Sequence, residues 1–577
     1  MRMRLALALT LCAGLVLLPG TAGAGTTFTF HGSGWGHGIG LSQWGTQGLA
    51  TKGWGPGRIV KHYYRGTTVA QRTPPAERFR IGLLQYEGTI VLRAERGSFR
   101  LELSSGRVLS RAREGATRKI LIRRNSDGRN VYKIKNGSGQ LVARGGSASN
   151  HLLAYRNAGA VIRVMDSGWP HMVGRGWLQF NIVGYQSAHL LAVVPAEQYL
   201  YGLAEVPSSW DMDALEAQAI AARSYAWEKI ARLGQQRSGC NCGLFATVSD
   251  QVFVGWDKEV ASMGDRWVAA VRNSSRKVAR RDGATIQAYY SAASGGYTEN
   301  NDVVWGGTPQ PYLRGVCDPA EWDVTAPNDS TAVLERWSAS FGDSGLTSRL
   351  GLGIGTVREF RNFVRGVSGR VKKVDVVGTN RTAYGVSGWT IRSRLGLRDT
   401  RFWVNSNRNI TGRIRQAYDN LSCRPGTAAS PQRDIRGGRF QAFAVGRLYL
   451  NSARDVVTWI RAAILSKYVA KGAHGGFLGI PYASRTIDSG AGRRAWFERG
   501  QILWRTSRPA AYEVHGPVLA HYLASGGFSR YRYPITDVVN VDDGDGNAAT
   551  RTRRSVFDNG TITCVSTDSG STWNCSS

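Results

Sequence analysis

Between Arg78 and Val164 apolar and polar residues alternate with a period of two. The runs Arg80-Ile-Gly-Leu-Leu84, Thr89-Ile-Val-Leu-Arg93, Ser98-Phe-Arg-Leu-Glu-Leu103, Lys119-Ile-Leu-Ile-Arg123 and Val131-Tyr-Lys-Ile-Lys135 are separated by glycine- and asparagine-bearing turns. This pattern predicts antiparallel strands with one buried face, grouped as a small β subdomain over residues 75–165. Trp177-Leu-Gln-Phe-Asn-Ile-Val183 and His189-Leu-Leu-Ala-Val-Val194 continue as strands. The period then changes. Leu215, Ala219, Ala222 and Tyr225 recur at helical spacing, behind Pro207, which keeps Val206 out of the helix, and behind Ser209 or Asp211 as its N-cap. Strands followed by helices make the fold α+β, mixed and strand-rich.

The ends of the chain differ from this middle. Arg2 and Arg4, the apolar run from Leu5 to Pro19, and Ala22-Gly-Ala24 read as an export signal over 1–24. The run is too short to span a bilayer, and Leu11 before Cys12 argues against a lipid anchor. No transmembrane anchor is expected, and the mature protein is placed outside the cell or at the wall. Residues 25–74 open on His31-Gly-Ser-Gly-Trp-Gly-His-Gly-Ile-Gly-Leu-Ser-Gln-Trp-Gly45. Alternating glycines permit close backbone approach, while Trp35, His37, Gln43 and Trp44 offer ring faces and donors for a sugar. A glycine-rich turn packed in the core fits the same text. Residues 424–437 read as a linker. Beyond it, 438–577 repeats itself: Phe443-Ala-Val-Gly-Arg-Leu-Tyr-Leu450, Phe497-Glu-Arg-Gly-Gln-Ile-Leu-Trp504 and Phe557-Asp-Asn-Gly-Thr-Ile-Thr563 share an opening. Gly446, Gly500 and Gly560 fall 54 and 60 residues apart, a spacing typical of stacked units.

A formal charge of +33 at pH 7 would ordinarily suggest nucleic acid. Export and the absence of any nucleic-acid motif favour instead an anionic polymer of the wall, or peptidoglycan carboxylates. After Cys12, six cysteines remain: Cys240, Cys242, Cys317, Cys423, Cys564 and Cys575. An even count in an exported chain favours disulfides. Cys564 and Cys575 are expected to pair. Cys240 and Cys242 stand so close that each is expected to reach Cys317 or Cys423. Zinc at Cys240 and Cys242 is the weaker reading, because a lone Cys-x-Cys without a His pair is poor ligand spacing. No other cofactor is expected.

The candidate for chemistry is Glu205, a carboxylate at the mouth of an apolar helix, where a raised pKa suits general-acid work. Gln218 and Arg223 lie on the helix behind it. Direct pairing of Arg223 with Glu205 would lower that pKa and work against acid catalysis, so Arg223 is expected to meet a substrate carboxylate or to support the site from behind, with a buried structural ion pair as the plainer alternative. Tyr289, Tyr290, Ser291 and Ser294 form a hydroxyl-rich strand and turn. Asp250, Glu299 or Asp302 could supply a second carboxylate, the arrangement of a hydrolase. No His-Glu-x-x-His or Gly-x-Ser-x-Gly motif is present.

Tyr199-Leu-Tyr-Gly-Leu-Ala-Glu-Val-Pro207 followed by Ala214-Leu-Glu-Ala-Gln-Ala-Ile-Ala-Ala-Arg-Ser-Tyr-Ala226 resembles the signature of the SpoIID/LytB family. Asp250-Gln-Val-Phe-Val-Gly255, Ala288-Tyr-Tyr-Ser-Ala-Ala-Ser-Gly-Gly-Tyr-Thr-Glu299, Pro311-Tyr-Leu-Arg-Gly-Val316 and Ile391-Arg-Ser-Arg-Leu-Gly-Leu397 match in the same order. The resemblance implies a catalytic core over 166–423 and lytic transglycosylase activity on glycan strands free of stem peptides, with Glu205 as acid/base. Its alternative is a non-catalytic wall protein that binds glycan and stimulates an amidase. Some members carry a metal near the Cys240 region, which is the source of the zinc alternative. In many relatives a segment like 25–67 ends the domain. Here it comes first, which implies a circular permutation and docking beside residues 390–410. The C-terminal units resemble the LGFP repeat, a module of exported actinobacterial proteins proposed to attach to the wall.

Overall fold

A computed structural model describes residues 26–318, 320–321, 337–405, 412–419, 421, 428–443, 445–541 and 550–577. The expected export signal and Cys423 lie outside the described residues.

The alternating region folds into two facing sheets, antiparallel except where Leu244–Phe245 pairs in parallel with Arg78–Glu87. One has six strands in the order Leu141–Gly145, Asn130–Lys135, Thr117–Arg124, Thr89–Arg96, Val161–Val164, Met172–Val173. Its inward positions, Ile90, Leu92, Ile120, Ile122, Tyr132 and Ile134, are fully buried, as the period-two pattern requires. Tyr132 crosses to the other sheet and donates its hydroxyl to the Phe180 carbonyl at 2.8 Å. That second sheet has seven strands, and Trp177–Val183 and Ser187–Pro195 lie inside it, the latter paired with Arg78–Glu87. The expected boundary at 165 therefore cuts through one continuous sheet. Both strands are buried along nearly their whole length, and they read as apolar runs because both faces are covered.

Helices pack against the far side of this sheet. Helix α1 (Gln43–Ala50), α2 (Pro56–Tyr63) and α3 (Ala196–Tyr201) surround α4 (Met212–Leu233). Asp211 caps α4 by accepting the Asp213 N–H at 2.9 Å. The alanine-rich face of α4 allows close approach by α1, α2 and the helix Gly264–Asn273, so Ala217, Ala219, Ala221 and Ala222 are all fully buried.

A smaller lobe has its own core of Phe28, Phe30, Leu346, Val374, Val376, Ile391 and Phe402. Its central strand β1 (Thr27–Gly32) comes from the start of the described chain, flanked by Trp337–Gly342 and Phe402–Val404. Residues 27–32 thus pair beside 402–404, while α1 and α2 join the main body.

At the C-terminal end, three four-stranded antiparallel sheets follow one another. In each, the shared opening forms the tight turn between the second and third strands, with Phe443 facing Gly446, Phe497 facing Gly500 and Phe557 facing Gly560. The stretch expected to be a linker contributes Arg433–Ile435, the edge strand of the first sheet.

Two cysteine expectations fare differently. Cys564 and Cys575 are bonded across neighbouring strands. Cys240 and Cys242, expected to reach elsewhere, are bonded to each other. Asn241 between them adopts φ 53°, and this left-handed turn brings their Cα atoms to 5.1 Å, within the usual disulfide range.

Candidate active site

Glu205 sits in the turn between α3 and α4. That turn is pinned to the segment 252–254 by Ala204 N–H to Val252 O at 2.8 Å and Val254 N–H to Gly202 O at 2.9 Å. The same pairing aims the Val252 N–H at the Glu205 carboxylate, 2.7 Å away. Burial pushes the Glu205 pKa up. The Val252 N–H, the Tyr290 hydroxyl, the Gln43 amide and the charge of Lys258 oppose that shift without cancelling it. Lys258 makes no ion pair with the carboxylate; its ammonium donates to the Val206 carbonyl at 2.7 Å. Its own pKa falls to about 8, chiefly through burial.

Tyr290 is the best-supported partner. Gln251 Nε2 donates to the Tyr290 oxygen at 2.8 Å, which leaves the phenolic proton for Glu205. Gln251 is itself fixed, accepting the Tyr199 hydroxyl at 3.0 Å and donating to the Ala222 carbonyl at 3.2 Å. Gln251 has no role in the sequence reading, although it lies inside the block 250–255.

The carboxylate opens on a groove of ≈ 600 Å³ lined by Trp35, His37, Gln43, Tyr289, Tyr290 and Ser291 among others. Glu205 and His37 therefore share one cleft. Of the residues expected to bind substrate, these six meet at it. The other three do not, nor does Trp44, whose ring packs 4.9 Å from Trp210. Arg223 is fully buried and grips Glu197 through two 2.9 Å hydrogen bonds, with further bonds to the Val271 and Lys277 carbonyls. It is a structural ion pair, because α4 is enclosed on the side from which Arg223 projects. Gln218 is also buried away from the groove, and neither of its amide atoms has a protein partner. Ser294 lies in a separate buried cluster, its hydroxyl 2.7 Å from Glu321 and 3.0 Å from Asp318.

The cation that does line the groove is Arg392, stacked at 4.6 Å over Trp389. It stands in the matched block 391–397, though nothing in that block distinguishes it from its neighbour Arg394. Trp305 and Trp389 also line the groove and carry no periodic signal in the sequence.

The glycine-rich loop both lines the groove and packs closely against the interior. Gly36 (φ 119°) lines the groove. Gly38 (φ 70°) lets the buried Arg370 pass so closely that a Cβ at this position would overlap its guanidinium. His37 Nδ1 accepts the Ile39 N–H at 3.0 Å. Burial, aided by Arg370 and Arg392, pushes its pKa down to about 3, so the ring is neutral and carries its proton on Nε2. Gln43 Nε2 is a buried donor without a well-formed protein hydrogen bond.

The carboxylates considered as a second acid are all committed. Asp250 lines the groove but is ion-paired with Lys229 and, at 3.2 Å, with Arg237, and accepts the Tyr225 hydroxyl at 2.8 Å. Glu299 is fully buried and takes the Ser368 hydroxyl at 2.6 Å. Asp302 is paired with Arg314 at 2.6 Å. Glu205 is the one groove-lining carboxyl among the described residues that is without an ion-pair partner.

Fold and site together define a strand-rich α+β protein with one half-buried carboxyl in an aromatic groove. Residues 185–280 match the family model of the stage II sporulation protein, SpoIID, and residues 478–529 that of the LGFP repeat. The chain thus carries a SpoIID segment, which includes Glu205, and an LGFP repeat. Stage II sporulation protein D of Bacillus subtilis (strain 168) is 29% identical over 147 residues, covering 23% of this chain and 41% of that protein. The protein of the same name from Bacillus amyloliquefaciens is 30% identical over 154 residues, covering 24% and 43%. The amidase enhancer of Bacillus subtilis (strain 168) is 34% identical over 125 residues, covering 21% and 16%. The chain spans less than half the length of each of these relatives. Among the described residues no helix is long and apolar enough to cross a membrane.

Proposed function

We propose that this chain is an exported lytic transglycosylase that cleaves the MurNAc–GlcNAc bond of peptide-free peptidoglycan strands. Glu205, whose pKa burial raises, gives its proton to the bridging oxygen as the C1–O bond breaks. The resulting carboxylate takes the proton of the C6 hydroxyl of the same muramic unit as that oxygen bonds to C1. The product end is a 1,6-anhydro ring, the acid is regenerated and no water is consumed. Tyr290 and the Gln43 amide orient the carboxyl. Arg392, which lines the groove, would meet the lactyl carboxylate in place of the buried Arg223. The C-terminal sheets would hold the protein at the wall.

The observation that carries this reading is the single uncommitted carboxyl. A hydrolase ordinarily needs two, and here Asp250 is neutralised by two cations. The 34% identity to an amidase enhancer supports a second reading, a glycan-binding protein that stimulates a wall amidase without turnover. Digestion of peptide-free glycan followed by mass spectrometry separates them. Anhydro ends are expected; reducing ends indicate hydrolysis, and intact strands indicate the binder.

A further inference from the structure

The groove continues past the residues around Glu205. A second cavity of ≈ 340 Å³ has Asp302, Ser387, Lys372 and Lys373 in its wall, and it shares Trp305 and Trp389 with the groove. That volume alone falls in the range of small-ligand sites. The two tryptophans at the junction are held in place. The Trp305 ring packs 4.9 Å from His37 and 4.8 Å from Tyr289, yet the residue is 44% exposed. Trp389 is covered on one side by Arg392. A fixed, solvent-facing indole is a platform for the apolar face of a sugar ring.

Beyond the junction the charge is one-sided. Lys372 and Lys373 are both exposed, and neither forms an ion pair among the described residues. The only acid among the described residues of the cavity wall, Asp302, is already held by Arg314. Successive residues of a regular strand face opposite ways. Here Val371 pairs with Arg365 and Lys373 with Val364, so the ladder carries a bulge at Lys372. Such a bulge re-aims side chains and brings two adjacent ammonium groups to one wall.

We propose that this cavity is a distal subsite of the groove, which stacks the next saccharide unit on Trp305 and Trp389 and binds its carboxylate through Lys372 and Lys373. The inference rests on the glycan-cleaving reading of Glu205, and it adds a preference for longer strands whose acidic groups are intact.

The test uses the full chain carrying Glu205→Gln, so that binding is read without turnover. Peptide-free glycan fragments of increasing length, with carboxylates intact or reduced to alcohols, are titrated against this protein and against the same protein with Lys372→Gln and Lys373→Gln. Both lysines are exposed, so the fold is not at stake. The double change is expected to weaken long, carboxylated fragments about five- to tenfold, the range for two exposed ion pairs, and the difference should shrink as salt is raised. Short or carboxyl-reduced fragments should bind both proteins alike. Equal affinity for every fragment, or equal weakening of short and long ones, overturns the subsite. If wild type still releases anhydro ends in that case, the proposed function stands. Failure of any fragment to bind, together with no cleavage by wild type, overturns both.

Discussion

Glu205→Gln tests the acid/base assignment with little structural disturbance. The amide keeps an oxygen for the Val252 N–H, 2.7 Å away, and for the Tyr290 hydroxyl, and it fills the same volume. What it loses is the proton. A positioned general acid contributes about 10²–10⁴-fold to rate, or about 2.7–5.4 kcal/mol of barrier, and cleavage should fall by that factor while glycan affinity holds. Stability moves the other way. Burial raises the Glu205 pKa, so above the ordinary carboxylate range the folded state binds a proton more readily than the unfolded chain. Wild-type stability therefore declines as pH rises toward the raised pKa. The Glu205→Gln protein has no such penalty, and its thermal midpoint should match wild type at low pH and exceed it at higher pH. Anhydro ends counted by mass spectrometry, with melting curves from pH 4 to 8, read both effects. Undiminished cleavage by Glu205→Gln would refute the assignment, and a lower melting point at every pH would show that the carboxyl is structural.

Other perturbations separate site from scaffold. Arg223→Met should cost about 3 kcal/mol in denaturant unfolding, toward the low end for a broken buried pair because Glu197 keeps some solvent contact; activity per folded molecule should persist. Tyr290→Phe removes a donor that holds the Glu205 pKa down, so the basic limb of the kcat/KM profile should move to higher pH. Burial and the neighbouring Asp318 push Glu321 up to about 7. Folded protein thus binds an extra proton between the ordinary carboxylate range and neutrality, and stability should fall as pH rises through that window. Glu321→Gln should flatten the dependence, as read by melting curves from pH 5 to 8.

The sequence is legible where the chemistry is local. Pro207, the cap at Asp211 and the alanine-rich face of α4 identify the turn that holds Glu205, and alternation identifies the inward residues of the six-stranded sheet. Non-local pairing is not legible. Nothing within 177–195 says that its partners are Arg78–Glu87 and Leu152–Arg156. Arg223 misleads for a related reason. A cation on the signature helix suits a substrate, and only the packing of Glu197 from α3 shows that it is already paired. Separation in sequence argues against a Cys240–Cys242 bond, whereas the left-handed turn at Asn241 decides for it.

The groove is assembled at the join of two cores. Glu205, Asp250 and Tyr289–Ser291 belong to the main body, whereas Trp389 and Arg392 belong to the smaller lobe. The glycine-rich segment connects them. Its Ser33 and Gly36 N–H groups bond to the Arg401 and Arg398 carbonyls of the lobe at 3.2 and 3.0 Å, while Leu41 N–H bonds to Tyr289 O of the main body at 3.1 Å. Each bond uses main-chain groups, so the connection tolerates side-chain change but not a change of path, and the path depends on φ > 0 at Gly36 and Gly38. Trp35 and His37 are carried into the groove by that same path. An aromatic wall facing a half-buried acid is thereby produced by backbone geometry in a segment far from Glu205 in sequence, outside the 185–280 match that contains the acid. A change at Gly36 or Gly38 should therefore impair glycan binding without touching the Glu205 hydrogen bonds.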